Sequence, residues 1–291
     1  MTVEAPATTD RFAADAAFAR EIAERAGRIL LERYERVERI DHKSAKDVVT
    51  EVDHLSEALV LDAIRTRFPG DGILAEESGA HRGPGAAKGR DARGAVVAET
   101  AARSLAHGRT WIVDPLDGTI NYANGIPFFC VSVGLVVDGR PAAGAIHDPM
   151  RGETFSATAD GPARLGDVSL VVPDKDKLSD YVVSLALGGR AVATRARAVR
   201  KAIRVSRNMG SAALALAYVA NGRFDAFIQS GGMSAWDVAA AGLIAERAGA
   251  LVTDTRGGPW FDVEKATRAF GVLAAPPTHH AELLRLSREA S

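Results

Sequence analysis

The chain has 291 residues, of which 47% are hydrophobic and 25% are charged, and its formal net charge is −1. That length is enough for one large or two modest domains with a buried core, and the balanced charge excludes a general attraction to nucleic acid or to an anionic membrane. The single cysteine, Cys130, excludes an internal disulfide framework. Because it lies in an apolar run, we expect a buried structural thiol in a reducing cytoplasm.

The N-terminal region predicts a polar tail followed by two helices. Residues 1–9 are small and polar, and we expect them to be disordered. Thr9 or Asp10 can cap a helix that runs to about Val37, and Asp53 is expected to open a second helix. No stretch approaches the ~20 apolar residues of a membrane span, and the early acids do not fit a signal peptide. The sequence therefore favours a cytoplasmic protein.

A short strand and a long connection follow. The run Gly72–Ala75 is typical of a strand, and it places Glu76 and Glu77 at its end. The connection from Ser78 to Arg109 is long, rich in Gly and Ala, and basic. It is either a solvated loop or a lid whose cations attract an anionic substrate.

Apolar runs in the middle of the chain predict an antiparallel sheet. Phe128–Val137 and Pro141–His147 are separated by Asp138-Gly139, a two-residue hairpin signal, and another strand is expected near Thr154–Ala157. Beyond them, strands and helices alternate, which favours an α/β arrangement. The strands are expected at residues 181–185, 202–206, 224–229 and 250–253, and the helices at 191–200, 211–220 and 237–248.

The two halves give the expected fold class, which is a layered α/β protein. Residues 10–165 are predicted to form an N-terminal α+β half that binds metal, and residues 166–291 a C-terminal α/β half. Glycine and proline cluster between Gly161 and Asp174, which suits a boundary there.

The most informative motif is the run WIVDPLDGT, from Trp111 to Thr119. An apolar strand leads into Asp114 and Asp117, and a Gly-Thr pair then opens a helix. Carboxylate oxygens and a strand-end carbonyl are hard ligands that suit Mg²⁺, whereas backbone N–H groups at a helix start suit a phosphate. The motif therefore indicates phosphoryl chemistry. Asp237 is also a candidate ligand, although taken alone it could merely begin a helix.

With these motifs the chain resembles the inositol monophosphatase family of Mg²⁺-dependent, lithium-sensitive phosphatases. The matching segments are Glu76-Glu77-Ser78, Trp111–Thr119, Trp236–Gly242, Glu246–Gly249, Lys43 and Thr50–Asp53. The resemblance implies a sugar-phosphatase fold, a homodimer and hydrolysis of a small-molecule phosphate ester.

The resemblance also implies a set of metal ligands. Two to three Mg²⁺ ions would be held by Glu76, Asp114, the carbonyl of Leu116, Asp117 and Asp237, with Asp114 bridging two of them. Two divalent ions about 3.5–4 Å apart clamp the attacking and leaving oxygens of an in-line displacement. Asp117 and Asp237 would also contact the substrate.

Further roles follow from the same resemblance. Thr119 and Asp53 would help Glu76 to orient and deprotonate the attacking water. The amides of Gly118 and Thr119 would receive phosphate oxygens, and Gly210 and Ser211 would lie at the edge of the substrate.

Two other positions have less defined roles. Lys43 either contacts the water network near the metal or is a solvated surface lysine. Glu77 is expected to support the groups around the metal.

The segment before Asp237 departs from the family. Ser230 stands where inositol-cleaving members usually have a glutamate, and Ser234 stands where they often have a histidine. Losing a carboxylate that binds hydroxyls weakens the assignment to inositol, although Gln229 or the Gly231-Gly232 pair could compensate.

Inositol monophosphate is the leading predicted substrate, and other phosphate esters remain open. They are fructose 1,6-bisphosphate, histidinol phosphate, a nucleoside phosphate and a sugar phosphate of a specialised pathway. A non-catalytic member that binds protein or nucleic acid is the rival from another class. The basic segment between Arg190 and Arg207 is predicted to be a solvated helix face, because it has no interleaved aromatic residues for stacking on nucleic acid.

Overall fold

The structure is a computed structural model that describes residues 10–36, 40–44, 47–81, 108–189, 192–262, 265 and 267–288. For residues 40–44 and 47–49 it describes the backbone alone. The predicted tail, most of the connection between Ser78 and Arg109, and the side chain of Lys43 lie outside the described part of the chain.

The described residues form seven α-helices and fifteen strands. The helices are α1 (Ala13–Arg33), α2 (Glu51–Arg67), α3 (Thr119–Ala123), α4 (Val192–Ala202), α5 (Ala212–Ala217), α6 (Ala235–Arg247) and α7 (Pro277–Arg288). The strands are β1 (Ile40–Ser44), β2 (Asp47–Thr50), β3 (Gly72–Ala75), β4 (Gly79–His81), β5 (Arg109–Asp117), β6 (Cys130–Val137), β7 (Arg140–Asp148), β8 (Glu153–Thr158), β9 (Arg164–Leu165), β10 (Val168–Ser169), β11 (Val182–Ala186), β12 (Val205–Arg207), β13 (Ala226–Met233), β14 (Leu251–Asp254) and β15 (Phe270–Ala275).

The first two helices differ from expectation at their ends. Helix α1 ends before Val37, and Glu35 just beyond it takes a φ of 59°, a left-handed conformation that cannot continue a helix. Helix α2 begins two residues before Asp53. Thr50 is its N-cap, and Asp53 accepts a hydrogen bond of 2.8 Å from the Thr50 amide in a capping box. The carboxylate at position 53 therefore fixes the helix start without being its first residue.

An eight-stranded sheet carries the N-terminal part of the protein, in the order β10-β9-β8-β7-β6-β5-β3-β4. The predicted hairpin at Asp138-Gly139 is confirmed, with φ values of 47° and 79° that suit a two-residue turn. All neighbours are antiparallel except β3 and β5. Because these two strands are parallel, their carboxyl ends lie at the same edge of the sheet.

Helices cover both faces of this sheet. The buried residues of α1 and α2 pack on one face, and those of α6 pack on the other. A Cβ atom added at Gly144 of β7 would lie 2.7 Å from the Cβ atom of Ala240. Small residues therefore let α6 approach the sheet closely, which brings Asp237 in its first turn toward the strand ends.

A five-stranded mixed sheet carries the C-terminal part, in the order β12-β11-β13-β15-β14. The first three strands are parallel, and the other two pairings are antiparallel. The α/β prediction is confirmed, but the predicted strand at 202–206 is wrong in its bounds because α4 continues to Ala202. Strand β15 and helix α7 were not predicted, since a short apolar run before Pro276 has no diagnostic periodicity.

Candidate metal and phosphate site

A bulge in β5 brings two carboxylates to one face of the sheet. Residues i and i+3 of a regular strand point to opposite faces. Asp114 pairs with Ser132 and Asp117 pairs with Cys130, so three steps on β5 match two steps on β6. Pro115, which lacks an N–H donor, lies within this irregularity. The extra residue therefore allows both acids to face the same site.

Asp237 completes a cluster of three carboxylates. Asp114, Asp117 and Asp237 each offer a carboxylate oxygen, and these oxygens lie within 4.8 Å of one another. Asp114 is 1% exposed and Asp117 is 8% exposed. Three converging oxygen donors in a buried place are the ligand set that hard divalent cations require, so the residues present fit a site for such a cation.

Protein donors hold each of these carboxylates. Asp114 accepts a bond of 3.0 Å from the Leu116 amide. Asp117 accepts bonds of 2.6 Å from the Ser211 hydroxyl and 2.7 Å from the Ala213 amide, at the start of α5. Asp237 accepts a bond of 2.6 Å from the amide of Ser234, the residue that precedes α6. The bonds to Asp117 and to Asp237 each engage a single oxygen, Oδ2, so Oδ1 of both acids faces no donor in these bonds.

The cluster is electrostatically unfavourable without a cation. Burial raises the pKa of Asp114 well above its usual value, and the charges of Glu76, Asp117 and Asp237 raise it further. Burial and Asp117 also raise the pKa of Asp237. Burial raises the pKa of Asp117, although its bonds to Ser211 and to the amides of α5 oppose the rise. A bound divalent cation would offset this mutual repulsion.

Glu76 lies next to the cluster, at the end of β3. Its amide donates a bond of 3.1 Å to the Val113 carbonyl of β5, and its side chain contacts the carboxylate of Asp114. The parallel pairing of β3 and β5 thus brings together two acids that are far apart in sequence. The amide of Glu77 donates to the carboxylate of Glu57 over 3.0 Å, which fixes the turn that follows Glu76.

A second hydrogen-bonded group joins α2 to the motif. The Thr119 hydroxyl lies 3.1 Å from Asp53 Oδ1 and 3.0 Å from the Leu116 carbonyl oxygen. Asp53 is 1% exposed, and its Oδ2 accepts bonds of 2.8 Å and 2.6 Å from the amide and hydroxyl of Thr50. Since a hydroxyl donates one proton, donation to Asp53 leaves the Leu116 carbonyl for a cation and a Thr119 lone pair for a water.

Gly118 links β5 to α3 in a crowded place. Its φ is 97°, which favours glycine. A Cβ atom at Gly118 would lie 3.1 Å from the Phe128 carbonyl oxygen and 3.2 Å from the Cβ atom of Ser211. The missing side chain therefore keeps the backbone of Gly118 and Thr119 beside the carboxylates.

Gly210 and Ser211 reach the site through a contact with α3. Gly210 has a φ of 83°, and a Cβ atom there would lie 2.8 Å from Asn121 Oδ1. The Asn121 amide group donates to the carbonyl oxygens of Phe128 and Met209, both over 2.7 Å. This network places Ser211, the N-cap of α5, against Asp117.

A cavity of about 260 Å³ extends from the carboxylates onto the five-stranded sheet. Asp117 and Asp237 lie at one end of it. Its other lining residues belong to the loop before α5 and to one face of β11 and β13: Ser184, Ala186, Asn208, Met209, Gly210, Ser211, Ala212, Phe227, Gln229, Gly232 and Met233. Sequence reasoning did not select Ser184 or Asn208, because a lone polar residue carries no motif.

The structure brings Gln229 to the cavity, and not its neighbour Ser230. The Ser230 hydroxyl accepts a bond of 2.7 Å from the Gly188 amide, and Ser230 does not line the cavity. Four steps of β13, from Gln229 to Met233, match two steps of β15. These extra residues shift the register ahead of Asp237, so the side chain of Gln229 lies on the cavity wall and that of Ser230 does not. Ser234 remains close to the site, where its hydroxyl accepts a bond of 3.1 Å from the Arg268 amide.

Cys130 is buried, as predicted. Its sulfur lies 3.9 Å from Asp117 Oδ2, and burial together with this carboxylate raises the pKa of the thiol. The thiol is therefore a packing group and not an activated nucleophile.

None of the described helices combines the length and the apolar character that a membrane span requires.

Comparison with known proteins places these residues in a family. The model of the inositol monophosphatase family matches residues 13–291. The chain is 37% identical over 246 residues to the protein named Nus factor SuhB of Pasteurella multocida, covering 81% of this chain and 83% of that protein. It is 35% identical over 244 residues to inositol monophosphatase 2 of Solanum lycopersicum, covering 81% and 86%.

A solved structure agrees over almost the whole chain. The extragenic suppressor protein suhB of Bartonella henselae superposes with a TM-score of 0.82 at 29% identity, covering 96% of this chain and 100% of that one.

Proposed function

The chain belongs to the inositol monophosphatase family, and from this we propose that it is a Mg²⁺-dependent hydrolase of phosphate monoesters of small polyols or sugars, with inositol monophosphate as the leading substrate. The observation that carries the proposal is the cluster of Asp114, Asp117 and Asp237, which opens into a cavity large enough for a small leaving group. A binding module has no need for buried carboxylates that raise one another's pKa.

The proposed metal ligands are Glu76, Asp114, the Leu116 carbonyl, Asp117 and Asp237, holding two to three ions with Asp114 shared. When bound, the ions supply Lewis-acid stabilisation of the phosphate oxygens and increase the acidity of the attacking water.

The protein groups position the water and the phosphate. Thr119, held by Asp53, accepts a hydrogen bond from the water and so orients it, and Glu76 takes its proton. The amides of Gly118 and Thr119 donate to phosphate oxygens. The P–O ester bond breaks on the side away from the water, and the alcohol leaves with a proton from solvent.

The alcohol would occupy the far end of the cavity. Gln229 offers an amide group there that suits a polyol. Gly210 and Ser211 lie nearer the carboxylates, because the Ser211 hydroxyl donates to Asp117, and they would contact the edge of the substrate. In this proposal Gln229 has the hydroxyl-binding role that the resemblance to the family implies for position 230. An amide in place of a carboxylate still binds hydroxyls but does so without charge.

The proposal is tested by release of inorganic phosphate at saturating Mg²⁺. The panel contains inositol 1-phosphate, glycerol 2-phosphate, fructose 1,6-bisphosphate, histidinol phosphate and a nucleoside monophosphate. We expect hydrolysis of at least one ester, loss of activity in EDTA and recovery with added Mg²⁺. Failure to hydrolyse any member with the metal present would refute the proposal.

A second candidate function comes from the names of the relatives. Several are called Nus factor SuhB, so a binding role without catalysis is the alternative. It predicts that no ester of the panel is hydrolysed, although the folded protein still binds divalent metal. The homodimer is also a proposal, and light scattering on the purified protein would test it.

A further inference from the structure

The five-stranded sheet places a cationic residue at the rim of the cavity. Arg207 of β12 pairs with Ser184 of β11, and Ser184 pairs with Phe227 of β13, all in parallel. Directly paired residues of neighbouring strands point to the same face. Ser184 and Phe227 both line the cavity. Arg207 therefore belongs to the cavity face, one strand further out, and the residue after it, Asn208, lines the cavity wall.

The register of the next pair supports this geometry. Ala186 pairs with Gln229 two positions along, and both line the cavity. The intervening residues Leu185 and Ile228, which pair with each other, are buried on the opposite face. Neighbouring strands lie about 4.8 Å apart, so the long side chain of Arg207 can reach a ligand that occupies the cavity.

The positive charge of Arg207 is not compensated by any described residue. Arg207 is exposed, and its guanidinium donates a bond of 3.0 Å to the backbone carbonyl of Ser206. Arg200 also reaches Ser206, donating to its hydroxyl over 3.3 Å. By contrast, Arg204 on the same segment forms an ion pair with Asp180. An exposed guanidinium at a sheet edge without an acidic partner among the described residues favours binding of an anion.

The cavity wall next to Arg207 is neutral. Apart from Asp117 and Asp237 at the metal end, the described lining residues carry no charge. Gln229, Asn208 and Ser184 therefore present amide and hydroxyl groups that do not repel an anion. The described lining of the cavity thus has carboxylates at one end and neutral groups elsewhere, and Arg207 lies beside it on the neighbouring strand.

We propose that Arg207 binds a second anionic group carried by the leaving group, so that an ester with an additional phosphate or carboxylate is hydrolysed more efficiently than the matching monophosphate. This inference rests on the proposed hydrolase function. The metal end takes the phosphate that is cleaved, and the guanidinium takes the anion that stays on the alcohol. A planar guanidinium suits this role because it forms paired hydrogen bonds with phosphate or carboxylate oxygens.

The test compares a sugar bisphosphate with its matching monophosphate. Steady-state hydrolysis of fructose 1,6-bisphosphate and fructose 1-phosphate is measured for the wild type, Arg207→Gln and Arg197→Gln. We expect Arg207→Gln to reduce kcat/KM for the bisphosphate about fivefold to tenfold, mainly through KM. The monophosphate value should stay within about twofold. Arg197 is an exposed cation of α4 outside the paired row, so Arg197→Gln is the control for net charge and should match the wild type.

Three outcomes would overturn the inference. Arg207→Gln could lower kcat/KM equally for the two substrates, or could leave both values unchanged. Arg197→Gln could instead have the same selective effect on the bisphosphate. Alternatively, free inorganic phosphate could raise wild-type turnover of the monophosphate to the bisphosphate level, which would show that the anion is a separate molecule.

Failure of the proposed function is distinguishable from failure of this inference. If the wild type releases no phosphate, both esters remain intact in Mg²⁺ and their binding is measured by calorimetry. The inference then requires Arg207→Gln to bind the bisphosphate about fivefold more weakly and the monophosphate equally. Equal binding of the bisphosphate by both proteins would refute it.

Discussion

The two ends of strand β5 use carboxylates in opposite ways. At its amino end, Arg109 forms ion pairs of 2.7 Å with Asp15 and 3.0 Å with Asp71, and the indole of Trp111 donates to Asp71 over 2.9 Å. At its carboxyl end, the buried acids Asp114 and Asp117 face other acids and have raised pKa values. The acids at the first end pair with a guanidinium, whereas Asp114 and Asp117 form no ion pair with a cationic side chain among the described residues.

This difference separates stability from function along one strand. Acids that meet a guanidinium hold α1 and the strand together, and their removal costs folding free energy. Acids that meet one another cost folding free energy themselves and are useful only when a ligand arrives. Substitutions at the amino end should therefore lower stability and leave kcat nearly unchanged, whereas substitutions at the carboxyl end should lower kcat and leave stability nearly unchanged.

The largest expected effect is the loss of turnover in Asp114→Asn. Under the proposed function Asp114 would serve two ions, so we expect kcat to fall by at least about two orders of magnitude, or about 2.7 kcal/mol in the barrier. The unfolding midpoint of the metal-free variant should not fall, because the substitution removes a repelled charge. Phosphate release and thermal unfolding in EDTA measure the two quantities. Near-normal kcat would overturn the metal assignment.

Arg109→Gln is expected to lower stability while it leaves kcat nearly unchanged. Its side chain is 33% exposed, while Asp15 and Asp71 are 10% and 12% exposed. Leaving these acids unpaired should lower the free energy of unfolding by about 2 kcal/mol, after allowing for solvent screening, with kcat within about twofold. Urea unfolding measures the loss. Arg11→Gln, at an exposed pair with Asp160, is the control and should not shift the midpoint. A large loss of kcat in Arg109→Gln would contradict the assignment of a purely stabilising role to this end of β5.

Ser211→Ala should affect both properties moderately. The hydroxyl holds Asp117 over 2.6 Å and accepts a bond of 3.4 Å from the Leu214 amide at the start of α5. We expect kcat to fall about tenfold and stability to fall by about 1 kcal/mol. Ser211→Thr should restore most of both. Ser230→Ala, outside the cavity, is the matched control. Equal kcat values for Ser211→Ala and Ser230→Ala would show that positioning of Asp117 is unimportant.

The smallest effect concerns a paired acid elsewhere in the sheet. The side-chain bond to Arg223 lowers the pKa of Glu153 below its usual value. Since the folded pKa is the lower one, the stability from this pair is present above the ordinary Glu pKa and is lost as pH falls through the lowered value. The loss should be under about 1 kcal/mol. Arg223→Gln should flatten this part of the pH profile in urea unfolding. An unchanged profile would contradict the assignment.

The carboxylate end of the cavity is much better encoded in the sequence than the end that lies on the five-stranded sheet. The run from Asp114 to Thr119 combines carboxylates, Pro and Gly at fixed spacing, and each has a local geometric role. The Asp138-Gly139 hairpin was predictable for the same reason, because a two-residue turn depends on local conformation.

The elements that were missed depend on long-range packing. Strand β15 is recognisable only by its pairing with β13 and β14. The placement of Ser184 and Arg207 depends on strand register, which one sequence does not display. The start of α2 was also predicted two residues too late, because Asp53 bonds backward to Thr50.

The irregularity between Gln229 and Met233 also bears on how such a protein can diversify. Gly231 and Gly232 take φ values of 155° and 82°, and they separate the cavity wall from the anchored start of α6. Strand side chains alternate in direction, so a one-residue deletion in this pair would exchange Gln229 for Ser230 on the wall. A change in loop length could then alter which alcohol is accepted while Asp114, Asp117 and Asp237 stay in place. Insertions and deletions, as well as substitutions, are thus a route by which new substrates can be acquired.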